Sequence, residues 1–195
     1  MSRDWYITLA ERAELRQKIE RSDFLALAFP IESEEAFFDE LQRIEKEHFD
    51  ATHHCWAFRL LDRERSSDAG EPSGTAGKPI LSALKGSSLH YAAVVVVRWF
   101  GGVKLGPGGL ARAYRDTAAG TLKLAKTVDR FDYAQVKVIV PYARLNDAYR
   151  LADPPNVVLA GQSYDEETVF TFNVRRSLVD ELTRRLADIR LSFRA

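Results

Sequence analysis

The sequence predicts an α+β protein of two small units, on three observations. Residues 92–97 form an unbroken apolar run with four consecutive valines, two glycine-rich segments each lead into a helical pattern, and a fresh strand-helix-strand-strand-helix succession begins after Thr127. The 195 residues suit either one large domain or two small ones. With 46% hydrophobic and 29% charged residues the chain can bury a core and is not composed like a disordered one. A formal net charge of +0 excludes a global field that would draw in polyanions. The distribution is uneven, however: residues 98–126 carry Arg98, Lys104, Arg112, Arg115, Lys123 and Lys126 against Asp116 alone.

Taken in order, residues 24–30 read as a strand stopped by Pro30. Ser33 then caps a helix whose first turn carries Glu34 and Glu35 and whose apolar residues Phe37, Phe38, Leu41 and Ile44 repeat at helical spacing. Residues 53–61 alternate with the period of a strand. Residues 63–79 read as a long polar loop, after which Pro79 opens a helix that Gly86 ends and that buries Ile80, Leu81 and Leu84. The valine-rich run is a central strand, because β-branched residues without polar alternation need burial on both faces. A helix over 110–126 follows.

The second unit reads as a strand over 133–140, a helix over 142–152, strands over 157–164 and 168–175, a helix over 178–188 and a last strand over 191–193. Asp165, Glu166 and Glu167 would turn the middle hairpin. This is the βαββα(β) plan of a ferredoxin-like domain. The division falls at residues 1–127 and 132–195, and no internal repeat is present. A lone cysteine, Cys55, no apolar leader after Met1 and no run of about 20 apolar residues point to a cytoplasmic protein without a membrane segment.

The glycine-rich segments are the candidate working surface. In the first, Asp68 and Glu71 precede Ser73, Gly74, Thr75, Gly77 and Lys78; in the second, Gly101, Gly102, Lys104, Gly106, Gly108 and Gly109 precede Arg112. Glycines let another group approach the main chain, and each segment feeds a helix N-terminus, whose free N–H groups and dipole favour an anion. If the segments meet, Lys78, Lys104, Arg98 and Arg112 would line an anion-binding cleft, with Asp68 and Glu71 available for hydroxyls or a metal. The plainer reading is that tight turns need glycine. Neither segment spells a P-loop or a dinucleotide fingerprint, so ATP hydrolysis and Rossmann redox chemistry are not expected. His48, His53, His54 and Cys55 carry metal-ligand chemistry, but on a strand His53 and Cys55 face away from His54, so no metal or other cofactor is expected. Catalytic residues are not assignable.

Three stretches carry a family resemblance: GEPSGTAGKPIL within residues 68–81, VVVVRWFGGVKLGPGGLARAY at residues 94–114, and His54-Cys55-Trp56-Ala57-Phe58. They resemble the signature runs of the YigZ/IMPACT family, strongly over residues 20–126. The resemblance implies a first domain like the second domain of ribosomal protein S5, and a second, ferredoxin-like domain similar to the last domain of elongation factor G. It further implies RNA, the ribosome or a translation-related protein as partner, and a role in translation regulation. Ala69 departs from the acidic residue that many relatives place beside Asp68, which weakens a carboxylate pair for metal. The leading expectation is therefore an RNA- or ribosome-associated binding protein. The alternatives are an enzyme for a small phosphorylated or carboxylated substrate, with Asp68 or Glu71 as acid or base, and a protein-interaction module.

Overall fold

The computed structural model describes residues 4–164, 167–189 and 191–194. Contacts divide the chain into two compact units, Ile7–Asp129 and the residues up to Tyr6 together with those from Arg130 onward. The sequence division placed Asp4–Tyr6 with the first unit. They group with the second because the Asp4 carboxylate accepts hydrogen bonds from Arg175 Nη2 at 2.7 Å and Nε at 3.1 Å.

The chain opens with β1 (Trp5–Leu9) and β2 (Ala13–Ile19). After β3 (Ser22–Pro30), α1 (Glu34–Glu47) starts where Ser33 Oγ accepts the Ala36 N–H at 3.2 Å. There follow β4 (His53–Arg59), β5 (Glu64–Ser67), α2 (Gly77–Gly86), β6 (Ala92–Trp99), α3 (Gly106–Leu124) and β7 (Thr127–Phe131). β1 and β7 pair as a two-stranded ribbon. The main sheet has the order β2-β3-β6-β4-β5 and is antiparallel throughout. β6 is thus central, and its valines divide as the reading required: Val94 and Val96 pack with α2 and α3, Val95 and Val97 with α1.

Several details depart from the sequence reading, which holds no strand at β1 or β7. β2 was not read, although Glu14, Arg16 and Lys18 alternate with half-buried Ala13, Leu15, Gln17 and Ile19, the pattern of an edge strand. The start of the supposed long loop is β5, a polar edge strand whose order comes from pairing with β4 rather than from its own composition. α2 begins at Gly77, so Pro79 is the third helical residue, still inside the first turn where an absent N–H breaks no bond. Gly106 through Gly109 form the first turn of α3 instead of a loop.

In the second unit β8 (Tyr133–Ile139) leads to a 3-10 turn, Tyr142–Arg144, and a helix, α4 (Leu145–Tyr149), much shorter than the sequence reading of 142–152. β9 (Val157–Tyr164), β10 (Thr168–Arg175), α5 (Val179–Asp188) and β11 (Ser192–Arg194) complete it. The strand order is β11-β8-β10-β9, all antiparallel, which places the unit's first strand between its third and fourth. One core of Val136, Val138, Phe170, Phe172, Leu182 and Leu186 joins sheet and helices. Of the expected hairpin turn, Asp165 and Glu166 lie outside the described residues. No helix among the described residues is long and apolar enough to cross a membrane.

Candidate functional site

At the end of β6, strand alternation turns Arg98 to the same face as Val94 and Val96, beside Phe24 of β3 and His53 of β4. There it is buried and cannot stay unpaired. Its Nη1 donates to Glu71 Oε1 at 2.5 Å and its Nη2 to Ser22 Oγ at 3.1 Å. The guanidinium carbon lies 5.4 Å from the ring centroids of both Phe24 and Phe100. Tyr114, on α3, donates its hydroxyl to the same Glu71 oxygen at 2.7 Å. Burial, then the neighbouring Cys55, pushes the Tyr114 phenol far above its ordinary pKa, so it stays a donor. The Arg98 and Glu71 side chains are 5% and 3% exposed, a buried ion pair in which either charge alone would be costly. The sequence alone offers Arg98 as a cation free to meet an anion; in the fold its charge is instead matched by Glu71.

Asp68 does not reach for a ligand either. Its Oδ2 accepts the Gly74 N–H at 2.8 Å, and its Oδ1 accepts those of Gly77 at 2.8 Å and Ala76 at 2.9 Å. Burial works to raise its pKa, but the N–H groups of Gly74, Gly77 and Ala76 and the charge of Lys78 outweigh it and hold the carboxyl below its ordinary value. The donors that a glycine-rich loop seemed to offer an anion are therefore taken by the protein's own carboxylate. Gly77 has a structural reason as well: a Cβ there would fall 2.7 Å from the Ser67 backbone, so α2 abuts β5 only through a glycine. A Cβ at Gly101 would lie 1.8 Å from the Arg21 carbonyl oxygen.

Cys55 donates to the Asp68 carbonyl at 2.9 Å, and burial pushes its thiol up to about 12, which leaves no thiolate for chemistry. His53 Nδ1 lies 3.0 Å from the Ala69 carbonyl oxygen, and its Nε2 lies 3.9 Å from Glu71 Oε1. No group of three or more His, Cys, Asp or Glu side chains among the described residues is arranged to hold a metal ion.

Both glycine-rich segments reach one pocket of about 420 Å³, in the range of small-ligand sites. Glu71, Arg98, Lys104 and Gly106 line it, as do residues the sequence reading did not single out for this surface: Thr52, His53, Phe100 and Leu110. Gly74, Gly77, Gly101, Gly102, Gly108 and Gly109 are not part of its wall, nor are Asp68, Ser73, Thr75, Lys78 and Arg112. Thr75 Oγ1 donates to the Pro72 carbonyl at 2.6 Å, while Ser73, Lys78, Gly102 and Arg112 are exposed. Phe100 was legible in principle, as an aromatic next to the glycine pair that ends β6. His53 reaches the pocket through the pairing of β4 with β6 opposite Arg98, which no local sequence pattern marks.

Fold and pocket together define a two-unit α+β protein with a ligand-sized cleft where the loops of its larger sheet converge. The profile of the Impact N-terminal domain matches residues 20–122. An IMPACT family member from Haemophilus influenzae is 31% identical over 188 residues, covering 94% of this chain and 91% of the relative. The IMPACT family member YigZ from Escherichia coli is 30% identical over 177 residues, covering 88% of this chain and 87% of the relative. A crystal structure described as that of a hypothetical protein superimposes with a TM-score of 0.77 at 27% identity, over 100% of this chain and 98% of the other. The chain belongs to the IMPACT family.

Proposed function

We propose that this protein binds RNA, alone or on the ribosome, by holding one unstacked nucleotide in the pocket between the glycine-rich segments. The observation that carries the reading is the make-up of the pocket mouth. α3 starts without any side-chain cap at Leu105, so the N–H groups of its first turn lack partners of the helical kind, and Gly106 and Pro107 line the pocket. Lys104 stands beside them, exposed. A helix start with a lysine favours a phosphate. On the wall, Phe100 is 45% exposed, an aromatic surface on which a base can stack. Beyond the mouth, Arg112 and Lys123 add exposed positive charge along α3, while Arg115 pairs with Asp116 at 3.0 Å.

The acid-base reading finds less support, since Asp68 spends both oxygens on main-chain N–H groups and Glu71 is matched to Arg98. The test is a titration of single-stranded RNA against the full-length protein at several salt concentrations. Lys104→Glu combined with Arg112→Glu is expected to weaken binding by about ten-fold or more and to flatten the salt dependence. Arg184→Glu with Arg185→Glu on α5 is expected to matter less. A Lys104/Arg112 variant that melts like wild type and binds as tightly would overturn the proposal.

A further inference from the structure

The floor of the pocket differs in chemistry from its mouth. All protein hydrogen bonds to the Glu71 carboxylate, from Arg98 Nη1 and the Tyr114 hydroxyl, fall on Oε1. Oε2 receives none from the described residues. Among those residues a single side-chain polar atom is both sealed from solvent and unpartnered, Arg98 Nε. Glu71 Oε2 is not among the sealed atoms, its side chain is 3% exposed, and Glu71 lines the pocket.

A second acceptor, on His53, stands beside the same carboxylate. The Ala69 carbonyl can only accept, so the neutral His53 ring donates through Nδ1, which leaves the lone pair on Nε2, 3.9 Å from Glu71 Oε1. The floor thus presents two adjacent acceptors, one of them anionic, while the mouth presents Lys104 and the free start of α3. Phe100, Leu105, Pro107 and Leu110 supply apolar wall between the two ends.

Resting on the RNA reading, we infer that the nucleotide held here is a guanine nucleotide, with its N1–H and 2-amino group directed at Glu71 Oε2 and His53 Nε2 and its phosphate at Lys104. Guanine alone among the four RNA bases places two donors side by side on its pairing edge. Adenine and cytosine set an acceptor beside their amino group, and uracil flanks its single N–H with carbonyls. Each of these would bring a lone pair against the carboxylate or the imidazole, and a polar floor rejects a base that leaves it unmatched.

The test uses unmodified full-length protein, so it does not depend on a variant that folds. Four short single-stranded RNAs, identical except for G, A, C or U at one central position, are titrated beside a fifth with inosine there, which keeps N1–H and lacks the 2-amino group. Guanosine 5′-monophosphate is titrated separately. Expected is a preference for G over A, C and U of about ten-fold or more, with inosine between. His53→Phe, which removes one acceptor and leaves the ion pair, is expected to shrink that preference without abolishing RNA binding.

Equal affinity for the four RNAs overturns the guanine inference and leaves RNA binding standing. Binding of guanosine 5′-monophosphate with no affinity for any RNA supports the guanine site and overturns the RNA reading. Failure of every probe to bind overturns both.

Discussion

At the scale of single residues, the side chains with the firmest structural duties are the carboxylates of the glycine-rich segment. Asp68 organises the segment by gathering N–H groups from Gly74, Ala76 and Gly77, so it acts as a remote cap for α2, whose own cap residue, Ala76, contributes no side chain. Asp68→Asn keeps the shape but replaces one acceptor oxygen with an amide that opposes the N–H donors. The expected cost is about 1–3 kcal/mol at neutral pH. The sign of its pH dependence follows from the lowered pKa in the folded state. The stabilisation is present above the unfolded carboxyl value of about 4 and is lost as pH falls below it. Urea unfolding at pH 7 and pH 3 should therefore show a gap between wild type and variant that narrows at the lower pH. A gap of unchanged size would show that the charge of Asp68 is not what holds the segment.

At the scale of elements, the contact between β5 and α2 decides where the first segment lies. A glycine at residue 77 lets the helix start press on the Ser67 main chain, and the obstacle to any larger residue is backbone, which cannot swing aside. Gly77→Ala is expected to destabilise by about 1–3 kcal/mol, although alanine is the better helix former by about 1 kcal/mol. Thermal unfolding of this variant beside Gly86→Ala provides the comparison, because a Cβ at Gly86 meets nothing within 4 Å. Were Gly77→Ala as stable as wild type, the close approach would not be a constraint on the element.

At the scale of the whole molecule, Asp4–Tyr6 belong to the unit formed mainly by the C-terminal third. Asp4 accepts from Arg175 and from the Ser177 N–H and hydroxyl, while Arg175 also donates to Asn156 and lies 4.4 Å from the Phe131 ring centroid. The hydrogen bond from Arg175, opposed by burial and aided by Ser177, lowers the Asp4 carboxyl to about 2. Its stabilisation is complete above about pH 4 and is lost as pH falls toward 2. Asp4→Asn is expected to lower the melting temperature of this unit, with less effect on Ile7–Asp129. Hydrogen exchange of β8 and β10 against β3 and β6, at pH 6 and near pH 3, reads the two units separately. Equal loss of protection in both would show that Asp4 does not act on one unit alone. We further propose that the segment near residues 127–132 separates two regions that each unfold cooperatively.

The sequence by itself determined the features whose physics is local or single-element. Four valines in a row have to be buried on both faces whichever strands flank them, and Ser33 before Glu34 and Glu35 caps a helix through atoms three residues apart. The order of strands and helices from Tyr133 onward was legible for the same reason. The site was legible only as two glycine-rich segments near one another. Which of their groups remain free was decided by tertiary structure, because it depends on partners far apart in the chain: Arg98 with Glu71 across 27 residues, Tyr114 with Glu71 across 43. Folding consumed Asp68 and the N–H groups of its own segment in a cap, neutralised Arg98, and brought in His53 and Phe100 from strand ends. A charge or donor in a sequence is only potential binding capacity, and burial against a matching group removes it before any ligand arrives.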